Sequence, residues 1–503
     1  MPRVSRGFDL VLPKVDAVCG GMSTGTEQPC ASVVKPVRRS PYIVSIRANA
    51  LAGCLETIMD ATRKILELNA FDMDAADQLN PAVTSLVNRR KRAFGPTSML
   101  FYERPLNLVK GEGVWLYDAD GTRYLDAYNN VPSVGHCHPR VVEAVSRQMG
   151  TLNTHTRYLY DNIYTYAERL LGTMPDAISN IVFTCTGSES ADLALRIARV
   201  VTGGKGFIVT DNAYHGNTSA VTEISPSSAS PGPRPDYIFP IPAPDTYRYP
   251  ARDIGPRLSQ DVRSAIAGMK ERNIRFAGFI ADSIFSSDGV FPGDPGFLAD
   301  AIAEVRKAGG VYIADEVQPG FGRTGEKMWG FDRHGLVPDM VIMGKPMGNG
   351  FPMGGVAVKP DLLTAFGSTS GYFNTFGGNP VAAAAGLAVL DVLESEGLQL
   401  NAFETGAYLR SELRIAGTSG ERIGDVRGAG LYTGVEIVKS RASREPDQDG
   451  AERIVNELRR RNILIGTAGK HGNVLKIRPP LCFARVHADM FLEGFSEALA
   501  SLS

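Results

Sequence analysis

A lysine in a glycine-rich turn is the residue of this chain best suited to covalent chemistry. Lys345 follows Gly344 and opens the run Lys-Pro-Met-Gly-Asn-Gly, a setting that argues against an exposed helix face. A lysine amine becomes nucleophilic when burial or neighbouring cations lower its pKa. Thirty residues earlier, Asp315 ends an apolar segment and could hold a pyridinium nitrogen protonated. A Schiff-base lysine with such a carboxylate predicts a pyridoxal 5'-phosphate (PLP) site.

Segments next to these residues supply other parts that such a cofactor needs. Residues 181–184 predict an apolar strand, which a small-residue turn joins to a helix. The backbone N–H groups at that helix start, Gly187 and Ser188, form a natural phosphate site together with the serine hydroxyl. Tyr214 lies in the next such turn, where its ring could stack on the cofactor. Val317 follows Asp315 by two residues, so its methyl groups lie on the same strand face.

The same segments resemble the class-III (subgroup II) PLP-dependent aminotransferases. The resemblance extends roughly four-fifths of the chain, from near Arg89 to near Pro480, and points in particular to the branch with alanine-glyoxylate aminotransferase 2-like proteins and ethanolamine-phosphate phospho-lyases. It implies the α/β fold of fold-type-I PLP enzymes, in which a large domain has a mostly parallel sheet flanked by helices and a smaller domain is α+β. The motifs that carry it are Thr-Gly-Ser-Glu at 186–189, Tyr-His-Gly at 214–216, Asp-Glu-Val-Gln at 315–318, Gly-Lys-Pro at 344–346 and Asn-Thr-Phe-Gly-Gly-Asn-Pro at 374–380.

The resemblance also implies roles for residues that have no independent argument. Gln318 would hydrogen-bond the ring hydroxyl of the cofactor. Thr375 would reach the cofactor phosphate of a neighbouring subunit, which implies a homodimer with active sites at the interface, with a tetramer as an alternative. His215 has no argument beyond its place next to Tyr214. Asp282 stands where the family usually has glutamate, so a carboxylate behind the cofactor is shorter by one methylene.

The family includes two reactions, amino transfer and phosphate elimination, which the residues expected to contact the substrate help to tell apart. Arg478 matches an arginine that many class-III aminotransferases place near a substrate carboxylate, whereas animal phospho-lyases carry lysine there. Met99 stands where those lyases tend to have lysine. We therefore predict an aminotransferase that moves an amino group from a small amine or amino acid to an α-keto acid. Arg157 and Asn130 are further candidate substrate-binding residues, although a structural salt bridge would explain Arg157 equally well.

Two other functions stay open at this stage. One is a PLP-dependent phospho-lyase acting on an O-phosphorylated amino alcohol or amino acid, because both chemistries begin with the same lysine. The other, more remote, is a non-catalytic PLP-fold binding protein, which the presence of both Lys345 and Asp315 disfavours.

The composition is that of an ordinary soluble globular protein able to bury a large core. The chain has 503 residues, of which 43% are hydrophobic and 21% are charged. A formal net charge of −1 gives no reason to expect nucleic acid or a membrane as partner. The six cysteines are scattered and read as free thiols, so we expect no metal site and a cytoplasmic location.

Patterning divides the chain into four parts. Residues 1–58 lack periodicity and read as a flexible extension or leader, with a transit peptide as an alternative; a helix is expected to begin at Met59. Residues 59–145 would contribute to the small domain, with a hairpin turn at 118–121. Residues 146–386 would form the large PLP-binding domain and residues 387–503 the C-terminal small domain. The Pro- and Ser-rich residues 225–250 are predicted to form a long surface excursion near the mouth of the site.

Overall fold

The computed structural model describes residues 67–97, 99–228, 233–418 and 420–502. The extension predicted for residues 1–58 and the start of the helix expected at Met59 lie outside these ranges. None of the helices within them combines the length and the apolar composition that crossing a bilayer requires.

Strands and helices alternate through most of the described chain. The strands are β1 Leu108–Glu112, β2 Trp115–Asp118, β3 Arg123–Asp126, β4 Asn180–Thr184, β5 Gly206–Thr210, β6 Ile238–Ile241, β7 Phe276–Asp282, β8 Val311–Asp315, β9 Met340–Met343, β10 Gly354–Val358, β11 Ile423–Ala429, β12 Tyr432–Ile437, β13 Ile463–Leu464, β14 Gly466–Ala468 and β15 Val474–Ile477. The α-helices are Pro81–Phe94, Pro139–Met149, Asp161–Leu171, Gly187–Thr202, Ser219–Glu223, Ala251–Glu271, Ala299–Lys307, Pro360–Thr369, Pro380–Ser395, Leu398–Thr418, Gln448–Arg460 and Arg485–Ala500.

A seven-stranded sheet positions the residues that the sequence singles out. Its strand order is β4-β10-β9-β8-β7-β5-β6, and the five strands from β9 to β6 run parallel, whereas β10 is antiparallel to both of its neighbours. Every residue of β5 and β8 is buried, as expected for parallel strands covered on both faces. The predicted α/β fold with a mostly parallel sheet is confirmed. Asp282 and Asp315 end β7 and β8 side by side in register.

Two smaller sheets join distant parts of the chain. The hairpin predicted at residues 118–121 is the turn between β2 and β3, and β3 pairs in parallel with β13 from the C-terminal region. The strands β11, β12, β15 and β14 form a separate antiparallel sheet. Pairing of β3 with β13 agrees with an N-terminal segment that contributes to the small domain, while the boundaries at 145 and 386 stay predictions.

The prediction of a surface excursion over residues 225–250 is wrong for one part of that segment. Ile238–Ile241 is strand β6, which pairs in parallel with β5 at the edge of the large sheet. Pro240 lies inside this strand, and proline, which cannot donate a ladder hydrogen bond, is tolerated at a sheet edge. The apolar residues Ile238 and Ile241 are buried, so the burial of these two side chains outweighs the proline content.

A glycine in the helix Leu398–Thr418 allows close packing that gives a test of this fold. A Cβ added at Gly406 would overlap the carbonyl oxygen of Gly430, whereas one at Gly367 meets nothing within 4 Å. We expect Gly406→Ala to destabilise the protein by about 1–3 kcal/mol, because overpacking forces the backbone to shift. Gly367→Ala, in the exposed helix Pro360–Thr369, should be neutral or slightly stabilising. Thermal unfolding of both variants measures the difference, and equal melting temperatures would contradict the packing described.

Candidate active site

Lys345 is fixed in place by a close approach of two backbones. It follows β9 and begins the short 3-10 turn Lys345–Gly348. A Cβ at Gly344 would lie 3.0 Å from both the nitrogen and the Cα of Gly187, so the lysine turn and the helix beginning at Gly187 can meet only through glycine. Asn349 ends the turn with φ of 48° and anchors it, accepting a hydrogen bond from the Val134 N–H at 3.0 Å.

The surroundings of Lys345 favour its neutral amine. Burial, followed by the nearby guanidinium of Arg478, lowers the pKa of Lys345 to about 8, while the carboxylates of Asp315 and Asp282 act in the opposite direction. Near neutral pH a much larger fraction of this side chain is therefore unprotonated than of an exposed lysine, although the protonated form still predominates. The unprotonated form is the state a lysine needs to act as a nucleophile or a base.

A cavity of about 210 Å³ brings the predicted cofactor residues together. Seven of the eight line it, namely Gly187, Ser188, Tyr214, Asp315, Val317, Gln318 and Lys345. Thr186, His215, Gly216 and Asp282 complete the wall. We call this space the cofactor cavity.

The helix Gly187–Thr202 points its N-terminus into the cofactor cavity. Thr186 caps the helix by accepting a hydrogen bond from the Glu189 N–H at 3.1 Å. The N–H groups of Gly187 and Ser188 have no hydrogen-bond partner within the part of the chain that the structure describes. A Cβ at Gly216, where φ is 142°, would come within 2.5 Å of the Ser188 hydroxyl oxygen and would close this corner. Free N–H groups, a helix dipole and a hydroxyl suit a phosphate group.

Asp315 is buried and held by donors on both oxygens. Its Oδ2 lies 2.6 Å from Nδ1 of His215, and its Oδ1 accepts a hydrogen bond from the Val317 N–H at 3.1 Å. His215 is in turn fixed by its own N–H, which donates to the Ser225 hydroxyl at 3.0 Å. An ionised carboxylate requires Nδ1 of His215 to carry the proton. His215 therefore orients Asp315, a role that the sequence showed only as adjacency to Tyr214.

Asp282 lies in the wall of the cofactor cavity and is held there by hydrogen bonds. It accepts hydrogen bonds from the N–H groups of Ile284 at 2.9 Å and Ser286 at 3.0 Å, and from the Ser286 hydroxyl. The Gln318 amide donates to that same hydroxyl. Burial, followed by the charge of Asp315, raises the pKa of Asp282 to about 6. Asp282, at the end of β7, is thus linked to Gln318 through the Ser286 hydroxyl. The aspartate, expected to be one methylene shorter than the usual residue of the family, still makes these contacts in the wall of the cofactor cavity.

A second cavity of about 230 Å³ adjoins the first. The two share Tyr214, Gln318 and Lys345, so Lys345 lies where they meet. Arg478 also lines the second space, which we call the substrate cavity, and so does Lys476, a residue that the sequence reasoning missed. The aromatic part of its wall consists of Phe101, Tyr102 and Tyr128.

Arg478 is held by neutral groups. One nitrogen, Nη1, donates to Gln318 Oε1 at 2.6 Å and to Asn130 Oδ1 at 2.8 Å. Its guanidinium carbon lies 4.6 Å from the centre of the Tyr128 ring. Asn130 is buried and does not line the cavity, so it acts by holding Arg478. Among the described residues, no carboxylate forms an ion pair with this cation.

Besides Asn130, two predicted site residues lie outside both cavities. Thr375 is exposed in the loop that precedes the helix Pro380–Ser395, consistent with its expected role in a neighbouring subunit, which stays a prediction. Arg157 is exposed, and its guanidinium carbon lies 4.0 Å from the centre of the Phe373 ring. A substrate-binding role for Arg157 also stays a prediction.

The donor set fits PLP at each point that can be tested. Free N–H groups at a helix start suit the phosphate, a buried oriented carboxylate suits the pyridinium nitrogen, and a desolvated lysine suits the aldehyde. With the seven-stranded sheet, this arrangement defines a PLP enzyme of fold type I.

Comparison with known proteins gives the same assignment. The model of the aminotransferase class-III family matches residues 101–499, and the chain belongs to that family, whose cofactor is PLP and whose substrates are small amines and keto acids. A Drosophila melanogaster protein named alanine-glyoxylate aminotransferase 2-like is 42% identical over 445 residues, covering 86% of this chain and 90% of that protein. Human alanine-glyoxylate aminotransferase 2, mitochondrial, is 34% identical over 436 residues, covering 81% and 85%. A phospholyase from Arthrobacter, solved in complex with phosphoethanolamine, is 43% identical with a TM-score of 0.81, covering 83% of this chain and 100% of that one.

Covalent attachment through Lys345 can be tested directly. Borohydride reduction of the PLP-loaded protein should add the mass of one reduced cofactor per chain, because it fixes the bond between amine and aldehyde. Lys345→Ala should abolish this gain, and Lys470→Ala, which removes an exposed lysine, should preserve it. Intact-protein mass spectrometry reads the result. A full mass gain in Lys345→Ala would show that another amine binds the cofactor.

Proposed function

We propose that the protein is a PLP-dependent aminotransferase that moves an amino group from a small amine or amino acid to an α-keto acid. The observation that supports this proposal most directly is the position of Lys345 where the cofactor cavity meets the substrate cavity. The substrate cavity contains Arg478, which forms no ion pair with a described residue. Amino acids and α-keto acids both present a carboxylate, so one recognition group would serve the donor and the acceptor.

The residues of the cofactor cavity would hold PLP at three points. Gly187 and Ser188 would bind the phosphate, and Asp315 would keep the ring nitrogen protonated. When bound, PLP supplies an electron-poor ring that stabilises negative charge at the carbon bearing the substrate amine. The contacts of Asp315 with His215 and with the Val317 N–H hold its carboxylate in place in the wall of the cofactor cavity.

Lys345 would first bind the cofactor and then move the substrate proton. A catalytic base works best with a pKa near the operating pH, and a pKa of about 8 meets this condition. The amine can then accept a proton from the substrate carbon and give it back without a large cost in either direction. Because it lies where the two cavities meet, Lys345 can serve both tasks from one position.

Arg478 would recognise the substrate carboxylate. A guanidinium offers two parallel donors to a carboxylate, and a bond between two charged partners is stronger than a bond from the same guanidinium to a neutral amide oxygen. The current acceptors of Arg478 are the amide oxygens of Gln318 and Asn130. An incoming carboxylate could therefore replace or share these bonds at a net gain in energy.

Phosphate elimination is the second candidate. It is supported by the likeness to the Arthrobacter phospholyase solved with phosphoethanolamine. The two reactions share removal of the proton by Lys345 and diverge if the carbon–oxygen bond of a phosphate ester then breaks. We prefer amino transfer because Arg478 offers the planar fork suited to carboxylates and because Met99, at the place of a lysine in animal phospho-lyases, adds no cation.

Assembly and location are further parts of the proposal. We propose a homodimer in which Thr375 of one subunit serves the active site of the other, with a tetramer as the alternative. Thr375 is exposed and lines neither of the two cavities of its own subunit, which supports this arrangement. A cytoplasmic location is proposed from the sequence, although the human relative is named as mitochondrial.

A half-reaction tests the function. Enzyme loaded with pyridoxamine phosphate should regain the visible absorbance of its PLP form when pyruvate, glyoxylate or 2-oxoglutarate is added, with formation of the matching amino acid. A phospho-lyase would instead release inorganic phosphate from phosphoethanolamine with no keto acid present. Phosphate release without any half-reaction would overturn the proposal in favour of the second candidate.

The role of Arg478 predicts a difference between substrates. Arg478→Ala should raise the KM for amino acids and keto acids by about tenfold to a hundredfold, since a hydrogen bond to a charged group contributes about 1.5–3 kcal/mol. The KM for a simple amine without a carboxylate should change little, and PLP occupancy should be unchanged. Steady-state kinetics with both substrate types provide the measurement. Equal effects on both would assign Arg478 a structural role.

A further inference from the structure

The substrate cavity contains a lysine that amino transfer does not require. Lys476 lies in β15, two residues before Arg478, and both side chains line the cavity. Only 5% of Lys476 is exposed. Its ammonium group has neither a hydrogen bond nor an ion pair with any residue in the described ranges. A buried and unpaired lysine at a substrate cavity is the observation to be explained.

Two other buried cations in the described ranges, Arg427 and Arg323, have partners within the fold. The Arg427 guanidinium donates to Glu436 at 2.7 Å, and the half-buried Lys359 ammonium donates to Asp339 at 2.6 Å. The fully buried Arg323 donates to the backbone carbonyl oxygens of Leu431 and Pro479. Burying a charge without such partners costs several kcal/mol. Lys476 lacks such a partner among the described residues, so a charge on its amine would have to be compensated by a group that enters the cavity.

The charges around Lys476 disfavour its protonated form unless an anion is bound next to it. Burial, followed by the cations of Arg478 and Lys345, holds the pKa of Lys476 well below its usual range, and Asp282 is the one acid that acts in the opposite direction. Asp282 is occupied by Ile284 and Ser286 in the wall of the cofactor cavity. An anion that enters the substrate cavity would thus be the direct partner of Lys476.

We infer that Lys476 is a specificity-determining residue that binds an oxyanion of the substrate next to Arg478. The inference deepens the proposed function and rests on it, because it assumes that substrates enter this cavity. Two cations in a space of about 230 Å³ match a small amino compound or keto acid with two negative charges. The shared chemistry is a second oxyanion, supplied either by a phosphate monoester or by a second carboxylate.

Protonation separates this role from a structural one. An anion that binds next to Lys476 raises its pKa again, so that a neutral amine takes up a proton on binding. Uptake should appear at pH values above the pKa of Lys476 in the free cavity and below its value with the anion. A lysine that only fills space would bind no extra proton.

Calorimetry on the PLP-loaded enzyme tests the inference with two unreactive probes, inorganic phosphate and glutarate. Lys476→Met keeps most of the side-chain volume and removes the amine, and it should weaken binding of at least one probe by about tenfold or more, as expected for a charge-assisted bond. Lys470→Met is the matched control, since Lys470 is exposed and pairs with Asp211 at 3.1 Å. Its affinity should equal that of the wild type, and the cofactor absorbance of all three proteins should agree.

The outcomes divide clearly. Weaker binding of phosphate alone identifies a phosphate monoester as the substrate class, and weaker binding of glutarate alone identifies a dicarboxylate. Unchanged affinity in Lys476→Met, or an equal loss in Lys470→Met, overturns the inference. A second measurement needs no variant: calorimetry of the wild type in buffers of different ionisation enthalpy counts the protons taken up when the anion binds. The absence of proton uptake from neutral to alkaline pH would also overturn the inference.

Failure of the inference and failure of the proposed function remain distinguishable. If the half-reaction with keto acids proceeds while Lys476→Met binds both probes normally, amino transfer stands and Lys476 has no recognition role. If Lys476-dependent binding is present and the half-reaction is absent, the inference stands and amino transfer is wrong.

Discussion

The close approach of Gly344 to Gly187 is the constraint on which the active site depends. A side chain at Gly344 would push apart the turn that carries Lys345 and the helix whose N-terminus lines the cofactor cavity, and one at Gly187 would press on the methyl groups of Val317. The same corner tolerates no Cβ at Gly354, which would lie 2.6 Å from the Thr186 carbonyl oxygen. Three strand ends therefore meet at backbone contact distance. Because the lysine and the phosphate site belong to these ends, their separation is set by the fold rather than by flexible side chains.

Charge is distributed unevenly around this corner. Two acidic side chains, Asp282 and Asp315, lie on the cofactor side, and two basic side chains, Lys476 and Arg478, lie on the substrate side. Lys345 lies between them, and its pKa reflects burial first and then the competing fields of both groups. The acidic side chains thus lie where the protonated ring nitrogen of the cofactor is expected. The basic side chains lie where oxyanions of the substrate are expected.

Local patterns made part of this site predictable from the sequence. Lys345, Asp315 and Gly187 lie at the ends of buried strands, where short motifs set the backbone and the chemistry together. His215 and Lys476 were missed because their significance comes from distant contacts: the partner of His215 is 100 residues away, and Lys476 matters only because burial leaves it without a counter-ion. The edge strand β6 was missed for a related reason, since the proline content of its segment indicated a loop and only its pairing with β5 shows a strand.

The parallel pairing of β3 with β13 has a consequence for biosynthesis. Leu125 and Ile463 are partners although more than 300 residues separate them in sequence. On the ribosome, β1 to β3 emerge early and must wait for nearly the whole chain before their sheet is complete. Until then β3 presents an open edge, the kind of surface that pairs with other chains. The interval between the synthesis of β3 and that of β13 is therefore a period in which the unfinished chain can pair with other chains.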